Sequence, residues 1–224
     1  MRRPGAILFD CDGVLIDSEP MGCEALAQAV TAAGHPMTRA QATAAFSGHA
    51  AADSRAHMAR LGLDAAAVFA ESDRLLFQMF DQAIPHVPGI EAVLDGFAVP
   101  MAVCSNSSAR RLDLSIRRTP LAARFGAHIY SADDVAAPKP APDMALFAAA
   151  RLGVAPAHAV FVDDNTHGIR CAVAAGCLAV GFIGPSDHRP GHADVLRAAG
   201  AAHVVHGMAE FHALLTRLSL SQAA

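Results

Sequence analysis

Apolar and polar positions follow each other along the chain in a pattern that predicts strands and helices in turn. The first apolar run, Ala6–Phe9, is typical of a short strand buried on both faces. Further runs that we interpret as strands lie at residues 98–104, 127–130, 159–162, 178–183 and 203–205. Helical spacing lies between them, at residues 90–95, 109–117, 143–152 and 168–175. This order predicts a parallel βαβ sheet with right-handed crossovers.

The segment that follows the first strand has a different pattern. It is rich in alanine and leucine, and Gly34, Gly48 and Gly62 divide it into helical lengths. Apolar residues recur at helical spacing over residues 19–33 and 64–80, and no run between them has the pattern of a strand. The segment is therefore expected to be helical.

These two patterns predict a domain organisation. Residues 1–16 and 85–224 should form an α/β core, a Rossmann-like doubly wound parallel sheet, and residues 17–84 should form an inserted α-helical domain. A chain of 224 residues is long enough for one sizeable domain with a smaller insertion.

Polar residues cluster at the predicted strand ends and in one loop of the same sheet edge. These residues are Asp10 and Asp12, Ser105 and Asn106, Lys139, and Asp163 and Asp164. In an open parallel sheet, ligands bind beyond the carboxyl ends of the strands. The clusters are therefore expected to share one pocket.

The combination of these side chains suits phosphoryl transfer. Aspartate oxygens favour Mg²⁺, which is commonly shared with a substrate phosphate. One carboxylate can attack phosphorus to form an aspartyl-phosphate, and a second can protonate the leaving oxygen and later take a proton from water. Lys139 and Ser105, with backbone donors from Asn106 and Ser107, would hold the phosphate oxygens.

Simpler interpretations of the same residues remain open at this point. The first two aspartates could form a turn with a side chain bonded to the backbone. Ser105 and Asn106 could cap a helix, as could Asp163 and Asp164. Lys139 could be a solvated loop residue, and residues 184–192 are most simply a surface loop over the sheet edge.

The composition limits the classes of molecule that the protein is expected to bind. The formal net charge is −4, so the chain lacks the basic surface expected of a nucleic-acid-binding protein. No apolar segment reaches the roughly 20 residues of a membrane span, and the first residues do not resemble a signal peptide. The 5 cysteines are scattered, which favours neither disulfides nor a zinc site. We expect a cytoplasmic protein, monomeric, with a small phosphorylated metabolite as its partner.

Four segments of the chain together resemble a known family. The segments FDCDGVLIDSE, VCSNS, KPAPD and VFVDDNTHGI, the last followed by AAG, are similar to the four motifs of the haloacid dehalogenase-like hydrolases, in chain order. The resemblance covers nearly the whole chain. It is closest to the branch that contains β-phosphoglucomutase and small sugar-phosphate phosphatases.

This resemblance implies a role for each cluster. The implied roles are Asp10 as nucleophile, Asp12 as general acid and base, Ser105 and Lys139 as phosphate-binding residues, and Asp163 and Asp164 as acids on the magnesium side. The side chain of Asp10 and the backbone carbonyl of Asp12 would complete the protein's share of the Mg²⁺ ligands.

The family also implies that the helical insertion is a cap that closes over the active site and sets which leaving group fits. In this branch, a cap loop with a pattern like residues 46–49, Phe-Ser-Gly-His, faces the substrate. Substrate-binding specificity is therefore expected at Gly48 and its neighbours, and at Ser18 and Gly22 at the hinge.

Departures from the family's patterns favour one activity. Dehalogenase members lack the second aspartate, so Asp12 disfavours dehalogenation. β-Phosphoglucomutase has a histidine where this chain has Gly22 and an arginine where it has Ala51. Phosphonate-cleaving relatives need a cap lysine, whereas Lys139 is the only lysine here. We therefore expect a Mg²⁺-dependent phosphatase, with a sugar-phosphate mutase as the alternative and a catalytically idle binding module as a further one.

Overall fold

The computed structural model describes residues 4–47 and 51–220. Contacts divide the chain into two units. The first unit comprises the residues up to Asp17 and those from His86 onward, and the second comprises Ser18–Pro85. The second unit therefore interrupts the first after its opening strand.

The first unit is built on a parallel sheet. Its strands are β1 (Ala6–Phe9), β2 (Met101–Cys104), β3 (Ile129–Tyr130), β4 (Ala159–Asp163), β5 (Leu178–Ile183) and β6 (His203–His206). They lie side by side in the order β3–β2–β1–β4–β5–β6, and every pair is parallel. This is the strand order of a doubly wound sheet, so the predicted α/β Rossmann-like fold is confirmed.

Eleven α-helices are found among the described residues. In chain order they are α1 (Glu19–Ala32), α2 (Arg39–Phe46), α3 (Ala51–Arg60), α4 (Ala65–Phe80), α5 (Ile90–Gly96), α6 (Ala109–Leu114), α7 (Ala122–Phe125), α8 (Asp143–Arg151), α9 (Thr166–Ala175), α10 (His192–Ala198) and α11 (Gly207–Leu220). Short 3₁₀ turns lie at Ile116–Arg118, Ala132–Asp134 and Pro156–His158. The first four helices form the second unit.

The centre of the first unit's core is β1. Every side chain of Ala6–Phe9 is fully buried, as expected for a central strand with helices on both faces. Phe9 packs edge to face against Phe125 of α7 and Phe211 of α11, a favourable geometry for aromatic pairs. The strand that carries the first aspartates is thus rigidly held.

The second unit has a core of its own. Its buried side chains include Leu26 and Val30 of α1, Phe46 of α2, Met58 of α3 and Val68 of α4. Helix α2 begins with a capping box, in which the Thr38 and Gln41 side chains bond to each other's backbone amides. Because these helices bury their apolar faces against one another, contacts within the helical insertion stabilise its fold.

Several boundaries differ from those expected. The strand predicted over 98–104 begins only at Met101, since Pro100 has no N–H to donate to a ladder. The helix predicted over 109–117 ends at Leu114, and a 3₁₀ turn follows it. Helices α10 and α11, which follow strands β5 and β6, were not predicted.

No helix among residues 4–47 and 51–220 has the length and apolar character that crossing a membrane requires.

Candidate active site

The pairing of β1 with β4 places two of the predicted aspartates close together. In the β1–β4 ladder Phe9 lies beside Val162, so Asp10, which directly follows β1, and Asp163, the last residue of β4, are neighbours about 4.8 Å apart. The chain adds β2 and β3 on one side of β1, and β4 to β6 on the other. Both aspartates therefore lie at the point where a doubly wound sheet opens a crevice.

Lys139 joins these two carboxylates. Its Nζ donates to Asp10 Oδ1 at 2.6 Å and to Asp163 Oδ2 at 2.8 Å, and only 4% of its side chain is exposed. Burial alone would lower the pKa of Lys139, but the two carboxylates outweigh it and raise that pKa above its usual value. The lysine is therefore a permanent buried cation, not a solvated loop residue.

Asn106 holds the backbone that carries this lysine. Its side-chain amide donates to the Lys139 carbonyl oxygen, and its side-chain oxygen accepts from the Lys139 N–H, each at 2.8 Å. The sequence indicated Asn106 as a backbone donor to phosphate. In the structure, the Asn106 side chain instead positions the backbone of Lys139, which lies 33 residues further along the chain.

Ser105 is buried at the end of β2, and its Oγ accepts from the Ser107 N–H at 3.1 Å. The cap of the following helix α6 is Ser108, whose side chain accepts from the Arg111 N–H. The capping interpretation of Ser105 and Asn106 is therefore not what the structure shows. Ser105 directly follows β2, which pairs with β1, and its role in binding phosphate stays a prediction.

Asp12 lies in a different environment from Asp10. Its Oδ2 accepts from Ser107 Oγ at 3.1 Å, and its Oδ1 accepts from Arg111 Nη2 at 3.3 Å. About a third of the Asp12 side chain is exposed, whereas Asp10 is buried. A partly exposed carboxylate beside a buried one fits the two different roles expected of them, proton transfer and nucleophilic attack.

A group of three carboxylates could hold a metal ion. Oxygens of Asp10, Asp163 and Asp164 all lie within 4.8 Å of one another, and this is the one such group found among the described residues. The set offers only hard oxygen ligands, which suits Mg²⁺. The structure therefore supports three of the four predicted metal-ligand residues as neighbours, while the expected backbone contribution of Asp12 stays a prediction.

The electrostatics of this group fit a cation. Burial raises the pKa of Asp10 to about 7, with Lys139 opposing and Asp163 adding to the increase. Burial and the charges of Asp163 and Asp10 likewise raise the pKa of Asp164. Carboxylates crowded in this way retain protons unless positive charge balances them, and a divalent cation would supply it.

Glycines make room for two of these carboxylates. A Cβ at Gly168 would overlap the Asp163 carboxylate and lie 2.6 Å from Asp163 Cβ. A Cβ at Gly13 would lie 2.8 Å from Asp164 Oδ2, and Gly13 has a φ of +81° that disfavours other residues. Both glycines are therefore part of the site.

Helix α9 is capped by Asn165, whose side chain accepts from the His167 N–H. The alternative that Asp163 and Asp164 only cap this helix is therefore not supported. Asp163 Oδ1 instead accepts from the Asn165 N–H at 2.8 Å, which orients its carboxylate.

Two arginines of the site were missed by sequence reasoning. Arg111 contacts Asp12, and Arg189 donates to Asp164 Oδ2 at 3.1 Å. Arg111 is one of two adjacent arginines in a helix, and Arg189 lies in the loop expected at the surface. That loop is only partly exposed, and its last residue, His192, is buried and begins α10. No local pattern indicated either contact.

The second unit contains the remaining predicted residues. Gly48 and its neighbour His49 lie outside the described residues. Phe46 belongs to the unit's core, and the Ser47 hydroxyl donates to the Glu19 carboxylate. Ser18 is buried, and a side chain at Gly22 would meet nothing within 4 Å. Specificity at these positions stays a prediction.

Comparisons with known proteins give the family of the chain. Residues 4–176 match the family model of the haloacid dehalogenase-like hydrolases, a range that includes all the predicted site residues. Phosphoglycolate phosphatase of Escherichia coli (strain K12) is 27% identical over 202 residues, covering 79% of this chain and 80% of that protein.

Two solved structures are similar over almost the whole chain. A conserved haloacid dehalogenase-like protein from Agrobacterium tumefaciens is 34% identical, with a TM-score of 0.84 and coverage of 96% of this chain and 99% of its own. A HAD family hydrolase from Deinococcus radiodurans, solved with bound phosphate and sodium, is 28% identical, with a TM-score of 0.83 and full coverage of both chains. Motifs, strand order and family match agree, and the chain belongs to the haloacid dehalogenase-like hydrolase family.

Proposed function

We propose that this haloacid dehalogenase-like phosphatase depends on Mg²⁺ and hydrolyses a small phosphorylated metabolite, a sugar phosphate or sugar-acid phosphate, through an aspartyl-phosphate on Asp10. The observation that carries the proposal is the buried Lys139 bridge between Asp10 and Asp163, beside a group of three carboxylates. A site with a fixed cation and excess carboxylate can accept both a divalent cation and a phosphate.

The names of similar proteins support the substrate class. The Escherichia coli relative is a phosphatase for phosphoglycolate, a small phosphorylated acid. The Deinococcus radiodurans structure contains bound phosphate. Both agree with a site built for a phosphate monoester.

In the proposed reaction the Asp10 carboxylate attacks phosphorus, an Asp10–phosphorus bond forms, and the bond from phosphorus to the substrate oxygen breaks. Asp12 donates a proton to that leaving oxygen. A water molecule then attacks the phosphorus, Asp12 accepts its proton, and the bond to Asp10 breaks to release inorganic phosphate. Each proton given by Asp12 is thus recovered within the cycle.

Other residues would bind the phosphate and the metal ion and orient the catalytic groups during these steps. Lys139 and Ser105 would bind phosphate oxygens, where negative charge collects. Asp10, Asp163 and Asp164 would hold Mg²⁺, which when bound neutralises phosphate charge and favours ionised carboxylates. Arg111 and Ser107 hold the Asp12 carboxylate in place by the bonds described above.

The sharpest test is Asp10→Asn, which keeps the shape of the side chain and removes the nucleophile. We expect release of phosphate from p-nitrophenyl phosphate to stop, while the circular dichroism spectrum stays close to that of the wild type. A variant with unimpaired turnover would rule out the nucleophile. Full activity of the wild type in a chelator would rule out the metal.

A sugar-phosphate mutase is the alternative within the same chemistry. The resemblance implies a histidine in β-phosphoglucomutase where this chain has Gly22, and the lack of that side chain favours the phosphatase. Incubation with a hexose 1-phosphate separates the two activities, because a phosphatase releases inorganic phosphate whereas a mutase accumulates the 6-phosphate. Absence of both reactions across a screen of phosphorylated metabolites would favour an idle binding module.

We also propose that the protein works as a cytoplasmic monomer without nucleic-acid or membrane partners. The net charge of −4 supports the first exclusion. All five cysteines are free and buried, which agrees with a reducing compartment. Light scattering of the purified protein would test the monomer.

A further inference from the structure

The loop between β5 and α10, residues 184–191, carries an ordered network of charged side chains. The Asp187 carboxylate accepts from Arg189 three times, from its backbone N–H at 3.0 Å, from Nε at 2.9 Å and from Nη2 at 2.9 Å. His192 Nδ1 bonds to the same carboxylate. Near its start, the loop is anchored by Ser186 Oγ, which donates to Asp17 Oδ2 at 2.7 Å.

This network ends on a carboxylate of the candidate metal group. Arg189 Nη2 donates to Asp164 Oδ2 at 3.1 Å and to the Asp164 carbonyl oxygen at 3.3 Å. The side chain of Asp187 is 5% exposed and that of Arg189 is 19% exposed. A largely buried guanidinium, held by a buried acid in a forked geometry, is a rigid support.

The Asp164 carboxylate also packs closely against Gly13. A Cβ at Gly13 would lie 2.8 Å from Asp164 Oδ2 and 3.3 Å from Asp164 Oδ1. The carboxylate is therefore confined between the backbone of the first motif and the guanidinium of Arg189. These contacts restrict the orientation of a carboxylate that contributes an oxygen to the group with Asp10 and Asp163.

Two effects of Arg189 on a bound cation oppose each other. Its positive charge would repel the cation, while its hydrogen bonds orient a ligand. The forked ion pair with Asp187 offsets most of the charge, because the pair is neutral as a whole. Orientation should therefore dominate, and outer-shell partners of metal ligands are typically worth about 10- to 100-fold in metal affinity.

We propose that Arg189, supported by Asp187 and His192, is a positioning residue that holds Asp164 in the orientation that binds the divalent cation. Arg189 lies beyond residues 4–176, the range of the family match. The proposal rests on the proposed function in that the cation is the Mg²⁺ inferred there.

The test measures Mg²⁺ binding directly, by isothermal titration calorimetry on the full chain without substrate. Arg189→Met should raise the Kd for Mg²⁺ by about 10- to 100-fold. Arg189→Lys, which keeps the charge but lacks the fork, should lie between Arg189→Met and the wild type. The matched control is Arg197→Met, which removes an exposed arginine paired with Asp194 on α10 and should leave the Kd unchanged.

Each outcome decides a separate point. A wild type that binds no Mg²⁺ would overturn the metal part of the proposed function together with this inference. A wild type that binds Mg²⁺ and an Arg189→Met variant with the same Kd would overturn this inference alone. If Arg189→Met does not fold, Arg189→Lys decides: an unchanged Kd rejects the positioning role, and a weaker Kd with an unchanged urea midpoint supports it.

Discussion

Replacement of Gly168 by alanine should damage the site, although the same change in a helix is normally favourable. Gly168 is the third residue of α9, where alanine would ordinarily add about 0.5–1 kcal/mol of stability. Its Cβ, however, would overlap the Asp163 carboxylate and lie 2.6 Å from Asp163 Cβ. The carboxylate must move by about 1.5 Å or more to reach ordinary van der Waals contact.

Such a shift breaks the contacts that the carboxylate makes. Asp163 accepts from Lys139 Nζ at 2.8 Å and from the Asn165 N–H at 2.8 Å. Loss of one partner of a buried ion pair costs about 3–5 kcal/mol. After the helix gain of up to about 1 kcal/mol, the free energy of unfolding should fall by about 2–4 kcal/mol.

Activity should fall further than stability alone would require. Asp163 is both a candidate metal ligand and a partner of Lys139, and a misplacement of about 1 Å can cost about 100-fold in rate. We therefore expect kcat/KM for p-nitrophenyl phosphate to drop by at least about 100-fold at a temperature where Gly168→Ala is folded.

The matched control is Gly22→Ala in α1. A side chain there meets nothing within 4 Å, so urea unfolding should show no loss and a gain of up to about 1 kcal/mol. If Gly168→Ala unfolds at the same or higher urea concentration than the wild type, with full activity, then the packing of Asp163 on Gly168 does not hold the site together and the reasoning is refuted.

Two further predictions concern charge and positioning. Without a divalent cation, the free energy of unfolding should fall as pH rises from 5 to 8. Burial raises the pKa of Asp10 from 3.8 to about 7, and burial also raises the pKa of Asp164. At a pH between the unfolded and the folded pKa of such a group, the folded state holds a proton that the unfolded chain has released. Added Mg²⁺ should then stabilise the protein more at pH 8 than at pH 5, and equal protection in urea unfolding at both values would contradict the assignment. Asn106→Ala removes two hydrogen bonds to the Lys139 backbone. It should cost about 1–3 kcal/mol and slow phosphate release, and a variant with unchanged stability and turnover would show that Lys139 needs no such support.

The sheet could be predicted from the sequence because its strands are buried on both faces. Short continuous apolar runs such as Ala6–Phe9 are typical of buried strands, and the polar residues that follow each strand can be identified directly in the sequence. The predicted start of the second strand was wrong because the apolar run was extended through Pro100, which has no N–H to donate to a ladder. The final helix α11 was missed although it buries Phe211 and Leu215.

The contacts within the site could not be predicted in the same way. Ser107 and Arg111 reach Asp12 across 95 and 99 residues of chain. Arg189 lies in a loop whose composition is typical of the surface, yet it bonds to Asp164, which is 25 residues away along the chain. Hydrogen-bond partners so distant in sequence leave no periodic pattern.

By itself, the sequence determined the parallel sheet, the helical insertion and the chemical types at the strand ends, because burial imposes a local pattern of apolar residues and turns. Only the tertiary structure decided which groups meet: strand register set Asp10 beside Asp163, and loop packing set Arg189 on Asp164. The physical reason is that hydrogen bonds and ion pairs act over a few ångströms in space, whatever the separation along the chain.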